Sequence, residues 1–393
     1  MSDAYDVIVV GLGAMGSATA YQLAKRGAHV LGLEAFTAAH ELGSSGGLTR
    51  IIRLAYFEHP AYVPLLKAAW DLWPEIEREA NDHLLEVTGG LYIGRHGSEV
   101  LDGSLLSARQ HGLEHELLDA DESRSRFPAI EIDDDMETLH EPLAGALFAQ
   151  RCIAAHLRLA IRRGAELHFE ELVTGWTLDA RGSGGVTVTT TRGTYTAARI
   201  VVSVGAWLPK LMPDLRIPFV VERNALFWFE PAARPEIFAR DRLPVWIIEL
   251  DSEHAFYGFP TLPEQPAAEG VAATPEQGVK VARHHGGRPV DPDTIDRVAN
   301  DDDESVVRGF VRRHMPLADG RLLDSRVCMY TNTPDENFVL GLDPRDARVV
   351  IASPCSGHGF KFSNIVGRIC AELALYGQTD FDIGFLSPTR FLK

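Results

Sequence analysis

Six residues, Gly11-Leu12-Gly13-Ala14-Met15-Gly16, stand between a β-branched run, Asp6 to Val10, and a stretch from Ser17 to Gly27 that carries alanine, tyrosine and leucine at helical spacing. A second apolar run, Ala28 to Glu34, follows. The order is strand, tight turn, helix, strand, the opening of an alternating α/β fold. Each glycine meets one requirement of a dinucleotide site: Gly11 permits the turn, Gly13 lets the backbone approach a pyrophosphate, and Gly16 lets helix and strand pack closely. The helix N-terminus then offers unpaired N–H groups to phosphate oxygens. Glu34, at the end of the second strand, can accept from both hydroxyls of an adenosine ribose and disfavours a 2′-phosphate. The motif alone does not separate FAD from NAD.

The chain has 393 residues, enough for one large core or two domains around a shared cleft. Its formal charge of −17 repels phosphate backbones and anionic lipid, so neither nucleic acid nor membrane is an expected partner. An anionic small molecule stays possible, because one arginine in a closed pocket outweighs a distant acidic surface. The four cysteines, at 152, 328, 355 and 370, are too sparse for a secreted disulfide framework and too scattered for a zinc or iron–sulfur cluster. Asp3 stands where a signal peptide would have lysines, and no later stretch offers about 20 continuous apolar residues. A soluble cytoplasmic protein is expected.

Further along, Gly89 to Gly94 reads as a bend entering a strand, and Gln150 to Arg163 as a helix burying Cys152, Ile153, Leu157 and Ala160 or Ile161. Leu167 to Leu178 and Gly185 to Thr191 alternate as strands around a turn at Asp179 to Gly184, and Ile200 to Trp207 is a strand running into a small-residue turn. Phe227 to Pro231 and Ala255 to Phe259 suggest exposed or half-buried strands. Pro263 to Gly278 lacks hydrophobic periodicity and reads as a surface excursion. The acidic runs Asp133 to Asp135 and Asp301 to Glu304 are read as solvated loop faces or helix N-terminal charges, not a metal site.

A second glycine-rich segment, Gly43-Ser44-Ser45-Gly46-Gly47-Leu48-Thr49-Arg50-Ile51-Ile52-Arg53, carries two arginines three residues apart. Far downstream come Gly278-Val279-Lys280, Val327-Cys328-Met329-Tyr330-Thr331 and Ser356-Gly357-His358-Gly359-Phe360-Lys361-Phe362. With the N-terminal fingerprint, this ordered set resembles the monomeric sarcosine oxidase family, which includes N-methyltryptophan oxidase, over nearly the whole chain. The resemblance implies an α/β fold with a mixed α+β substrate domain. A Rossmann-like FAD-binding domain would be assembled from residues 1–85, 145–215 and 325–393, interwoven with an antiparallel or mixed-sheet substrate domain from 86–144 and 216–324. It also implies a monomer.

Several residue roles follow from the same resemblance. FAD would be attached through a thioether to Cys328, with Cys355 a pocket-wall or core thiol and Cys152 and Cys370 packing residues. Ser44, Thr49, Arg50, Val173, His284, Gly357, Gly359 and Lys361 join Gly11, Gly13, Gly16 and Glu34 around the cofactor. Lys280 matches the lysine that activates oxygen, where an ammonium stabilises superoxide-like charge. Arg53 and Lys361 match the ligands of a substrate carboxylate, the arginine as a rigid fork and the lysine as an adaptable second charge. His358 and Tyr257 border the substrate amine and tune its electrostatics, Arg50 favours electron uptake by the flavin, and Tyr330 and Ile247 contribute to the substrate wall. One branch of the family has methionine in the region of Ile247. Gly46 and Leu48 depart from the family's Ser-His-Gly-Asp-Thr-Arg pattern, losing a histidine donor and an acid near the flavin.

The activity implied is oxidative demethylation of sarcosine or a related N-methyl amino acid, with oxygen as acceptor and formaldehyde and hydrogen peroxide as products. Three alternatives stand beside it: an oxidase of N-methyltryptophan, pipecolate or proline; a dehydrogenase with another electron acceptor; and a non-catalytic flavin-binding module.

Overall fold

A computed structural model describes residues 4–179 and 184–392. The turn expected at Asp179 to Gly184 therefore lies largely outside the described residues. Strand Tyr5–Val10 sits between Val30–Leu33 and Thr194–Val202, both parallel to it, and the parallel ladder continues outward to Glu166–His168 on one side and Asp346–Ser353 on the other. Val339–Asp343 and a hairpin, Val173–Leu178 with Val186–Thr190, complete this eight-stranded sheet with antiparallel pairing. Parallel strands joined by helices have both faces covered, and the pleat shows it. Val7 and Val9 pack under helices Ala14–Lys25, Ala149–Arg162 and Ser363–Tyr376, while Ile8 and Val10 join Leu31, Leu33, Val202 and Ile351 on the other side. Helix Ala149–Arg162 buries Cys152, Ile153, Leu157 and Ala160 and leaves Ile161 exposed.

The single strand expected from Leu167 to Leu178 is broken. After His168 its neighbour Leu31–Leu33 has ended, and the chain turns through Glu170 in the left-handed region (φ 55°). There the backbone N–H groups of Glu170 and Glu171 donate to the carbonyls of Phe36 and Glu34 (2.9 and 2.8 Å) before the hairpin begins at Val173.

The second sheet has nine strands. Its path runs from Leu322–Asn332 through Val220–Phe229, Val279–His284, His254–Phe259, Val245–Asp251, Gly90–Gly94 and Glu137–Glu141 to Glu116–Leu118, and the two-residue strand Arg288–Pro289 also pairs with Val220–Phe229. Pairing is antiparallel except between Val245–Asp251 and Gly90–Gly94, so the sheet is mixed. One face packs Phe227, Phe229, Trp246, Ile248, Phe256, Val279 and Val281 against helix Asp301–His314. Phe227, Trp228, Phe229, Phe256, Gly258 and Phe259 are thus buried, because the helix covers the aromatic face and further chain covers the other, while Ala255 and Tyr257 are half-buried as expected and the first of these strands ends at Phe229, before exposed Glu230. Period-two alternation then puts Lys280, Ala282 and His284 on the face away from that helix.

A three-stranded sheet, Thr49–Ile52, Gly145–Phe148 and Leu85–Val87, lies between these layers. The Pro263 to Gly278 excursion is a ladder of isolated bridges, pinned where Arg151 and Arg158 donate to the carbonyls of Pro266 and Glu269 while both pair with buried Asp82. Asp301 to Glu304 form the first turn of their helix, capped by Asn300, and Asp133 and Asp135 pair with Arg95. Among the described residues no acidic or histidine–cysteine group forms a metal site, and no helix is long and apolar enough to cross a membrane.

His156, on the buried side of its helix, has no hydrogen-bond partner for either ring nitrogen among the described residues and packs against Tyr21 and Trp73. Burial lowers its pKa from 6.5 to about 3. The unfolded chain therefore takes up a proton below pH 6.5 that the folded chain refuses, and stability falls as pH drops from there toward 3. At pH 5 this cost is about 2 kcal/mol. His156→Leu should remove that part of the acid-side loss, seen as a smaller drop in thermal midpoint between pH 7 and pH 5 than in the parent protein.

Candidate active site

The first strand–turn–helix opens onto a cavity of about 600 Å³, a size suited to a large cofactor. Gly11 has φ +84°, and a Cβ there would meet the Ser203 carbonyl oxygen at 2.7 Å; one on Gly16 would lie 1.7 Å from the Gly11 carbonyl oxygen. Gly13 differs, since nothing lies within 4 Å of its would-be Cβ. Helix Ala14–Lys25 has no side-chain cap, so its first N–H groups are available at the cavity floor. Glu34 is buried, accepts from Leu12 N (2.7 Å) and Phe36 N (3.1 Å), and keeps lone pairs for ribose hydroxyls. Phe36, His40 and Trp207 form an aromatic rim. Ser44, Val173, Gly357 and Gly359 also line this space, as does Cys355. These features fit a dinucleotide.

A smaller cavity of about 60 Å³ adjoins it, sharing Arg50, Tyr330, Gly357 and Phe360 in its lining. Strand register assembles its wall: Ile247 pairs with Tyr257, and Cys328 and Tyr330 lie two residues apart on Leu322–Asn332. His284 approaches the Tyr330 hydroxyl at 3.4 Å. Burial drives Tyr257 up to about 12 and raises the Cys328 thiol, though Arg50 and Lys280 act in the opposite sense on the thiol.

Arg53, Lys361 and His358 close the other side. Arg53 is 2% exposed, just past strand Thr49–Ile52. Its guanidinium donates to both oxygens of Glu58 (2.6 Å each) and to Ala55 O (3.1 Å), with the rings of Tyr56 and Phe57 each 4.2 Å away. Burial weakens its hold on the proton, and Glu58 more than reverses this. Lys361 has no such carboxylate. Its Nζ donates to the His358 carbonyl (2.7 Å), and burial followed by the Arg53 charge lowers its pKa to about 7. His358 Nε2 lies 3.0 Å from the Glu336 carbonyl, which can only accept, so this nitrogen carries the proton and Nδ1 accepts from the Tyr56 hydroxyl at 2.5 Å. Burial lowers its pKa to about 4, and it is neutral near pH 7.

Gly16, Thr49 and Lys280 line neither cavity. Lys280 Nζ donates to Gly47 O (2.8 Å), Thr49 O (3.0 Å) and Thr49 Oγ1 (3.1 Å) between the rings of Trp228 and Phe259. Burial and then Arg50 push its pKa well down, while three acceptors match the three N–H bonds of an ammonium. Arg50 is turned back on the same loop, donating to the carbonyls of Thr49, Ser44 and Gly46. The departures from the family pattern have their own geometry. A Cβ on Gly46 would lie 2.7 Å from Glu41 O, so this loop path excludes a histidine there. Leu48 adopts φ 62° and packs with Leu226, Trp228 and Cys328.

The FAD-dependent oxidoreductase family model matches residues 6–373. Monomeric sarcosine oxidase of Streptomyces avermitilis is 44% identical over 391 residues, covering 99% of this chain and 98% of that protein. The chain belongs to the monomeric sarcosine oxidase and N-methyltryptophan oxidase family. N-methyl-L-tryptophan oxidase of Yersinia pestis is 30% identical, with 98% of this chain and 99% of that protein covered. The solved structure of NikD, described as an unusual amino acid oxidase essential for nikkomycin biosynthesis, superposes with a TM-score of 0.82 at 29% identity, covering 98% of each chain. This family member is an FAD-dependent amino-acid oxidase built from a Rossmann-like domain and a mixed-sheet domain.

Sequence reasoning missed Glu58, Tyr56 and Glu141. The only signal for Glu58 is an acid five residues after a candidate anion-binding arginine, and for Glu141 there is none short of the fold. The two kinds of glycine also predict different failures. Gly16→Ala forces backbone apart and should lower stability by about 1–3 kcal/mol. Gly13→Ala meets open cavity and should change stability by less than about 1 kcal/mol while lowering the bound flavin. Thermal midpoints read beside flavin-to-protein ratios check both.

Proposed function

We propose that this oxidase demethylates a small secondary amino acid, sarcosine before all others. The observation that carries this reading is the small 60 Å³ space beside the larger cavity, bounded by Arg53 and Lys361. At about 10–15 Å³ per water-sized sphere it admits roughly five atoms. Sarcosine matches that size, whereas an indole side chain would have to extend beyond this space, which favours the smaller substrate.

In this reading Arg53 and Lys361 take the substrate carboxylate, exchanging Glu58 for the ligand at the guanidinium. Selection for an amino acid over a simple amine follows, because an amine leaves the buried cations without that anion. His358, neutral and held by Tyr56 and the Glu336 carbonyl, orients the site without competing for the substrate's proton. Ile247, Tyr257 and Tyr330 shape the wall, His284 supports the cofactor, and Arg50 and Lys280 supply positive charge beside it. Lys280 is the residue assigned to oxygen activation. FAD held there would supply the two-electron oxidation of the N-methyl carbon and the onward reduction of molecular oxygen. Sarcosine, water and oxygen thus become glycine, formaldehyde and hydrogen peroxide.

Covalent attachment is assigned to Cys328, supported by its match to the family segment and its position on the smaller cavity. Ser44, Thr49, Val173, Gly357, Gly359 and Lys361 are assigned to the cofactor side with Gly11, Gly13, Gly16 and Glu34. We assign residues 1–85, 145–215 and 325–393 to the cofactor domain and 86–144 and 216–324 to the substrate domain, in a monomer working in the cytoplasm.

Anaerobic mixing of the yellow protein with sarcosine, N-methyl-L-tryptophan, L-proline and L-pipecolate should bleach the flavin fastest with sarcosine, with peroxide formed on admitting oxygen. No bleaching by any of them sinks the assignment, and bleaching without peroxide points to another acceptor. A proteolytic digest of the same protein should carry flavin mass on the peptide containing Cys328.

Lys361 sets a pH signature. With its pKa near 7 in the free site, it is cationic below that value and must regain a proton to hold an anion above it. The affinity of a carboxylate inhibitor should therefore fall by about tenfold per pH unit from 7 upward, and Lys361→Met should flatten that slope.

A further inference from the structure

We propose that Glu141 is a positioning residue for substrate binding, holding the turn that aims the Arg53 guanidinium. The inference rests on Arg53 being the carboxylate ligand, and it assigns to the second sheet a part in setting that ligand's direction.

Strand Thr49–Ile52 ends immediately before Arg53, and residues 53–59 belong to no helix or strand. The backbone there needs partners from elsewhere, since it is buried away from water. Glu141 supplies them. Its Oε1 accepts from Leu54 N (2.9 Å) and its Oε2 from Ala55 N (2.8 Å), while the Tyr92 hydroxyl donates to Oε1 at 2.5 Å. Three converging donors and no acceptor call for the carboxylate form. Both side chains come from the second sheet, where Glu141 pairs with Gly90 and Tyr92 lies two residues along the same strand. Glu141 is 1% exposed and Tyr92 fully buried.

The same turn is gripped from its other side by Arg53. Its Nη1 donates to the Ala55 carbonyl, so the residue whose N–H is fixed by Glu141 offers its carbonyl to the guanidinium. The Tyr92 ring lies 5.8 Å from that guanidinium. Glu141, the Leu54–Ala55 turn and Arg53 are therefore mechanically in series. A fork that must meet a planar carboxylate with two parallel bonds tolerates little misplacement, and a displacement of about 1 Å can cost up to a hundredfold. Glu141 touches neither cavity, which separates positioning from catalysis.

Glu141→Gln tests this, because the amide must turn an N–H₂ toward backbone donors and lose at least one of the bonds. The holoenzyme is titrated with methoxyacetate, an uncharged-ether analogue that retains the carboxylate, by its perturbation of the flavin spectrum. Arg53→Met runs alongside. Glu141→Gln should weaken methoxyacetate and raise KM for sarcosine by roughly tenfold or more, with the limiting rate of flavin reduction changed less than about threefold and flavin content unchanged. Parent-like affinity in Glu141→Gln, with affinity lost in Arg53→Met, overturns the role of Glu141 and leaves Arg53 as the ligand. Parent-like affinity in Arg53→Met overturns the reading of Arg53 and the inference with it. Equal losses in affinity and limiting rate, or loss of flavin, mark a general structural role and also overturn it. Should Glu141→Gln fail to fold, Tyr92→Phe must show the same split at smaller size, and its absence is equally fatal.

Discussion

A positive charge buried away from water is costly, and the candidate site contains several of them. Arg53, Lys361 and Lys280 are each at most 5% exposed. Three different solutions appear. Arg53 is neutralised by the carboxylate of Glu58, Lys280 is ringed by oxygens of the Gly47–Thr49 loop, and Lys361, whose one hydrogen-bond acceptor among the described residues is the His358 carbonyl, holds its proton loosely. The overall charge of −17 has little bearing on this. Distant surface acids are screened by water and salt, whereas the cations act across short distances in a dry pocket.

Of these three charges, Lys280 is placed by the pleat of the second sheet. On Val279–His284, alternate residues belong to the helix-covered core or to the site side, so a one-residue slip would bury Lys280 under the helix and expose Val281 to the cofactor side. The large aromatics on the core face make that slip expensive. The register of the chemistry is thus fixed by residues that take no part in it.

Much of the first domain was legible because its signals are local. The glycine turn, Glu34 and the alternating apolar faces of the first strand each depend on a few neighbouring residues. The break after His168 was illegible because it arises where the neighbouring strand Val30–Leu33 stops, which no pattern within Leu167 to Leu178 carries. The burial of Phe227 and Phe259 likewise depends on a helix and loops that the strand sequences do not encode. In the site, the cations stood out by resemblance, but their counter-groups did not. Glu58 follows Arg53 closely without a periodic relation to it, and Glu141 reaches Leu54 and Ala55 only through the fold. Leu48 shows the reverse case: its departure from the family was plain, but its left-handed backbone and apolar neighbours were not.

The parallel ladder has a consequence for how the protein is made. Ile200–Val202 pairs with Val349–Ile351, and six of the nine strands of the second sheet are synthesised between them. Ser353, Gly357 and Gly359 then complete the wall opposite the glycine turn. A nascent chain can form the first βαβ unit early, yet it has no enclosed place for a flavin until this late strand arrives and closes a long loop. Such non-local pairing slows folding. The walls of the cofactor space are therefore complete only when the last strand of the parallel ladder is in place.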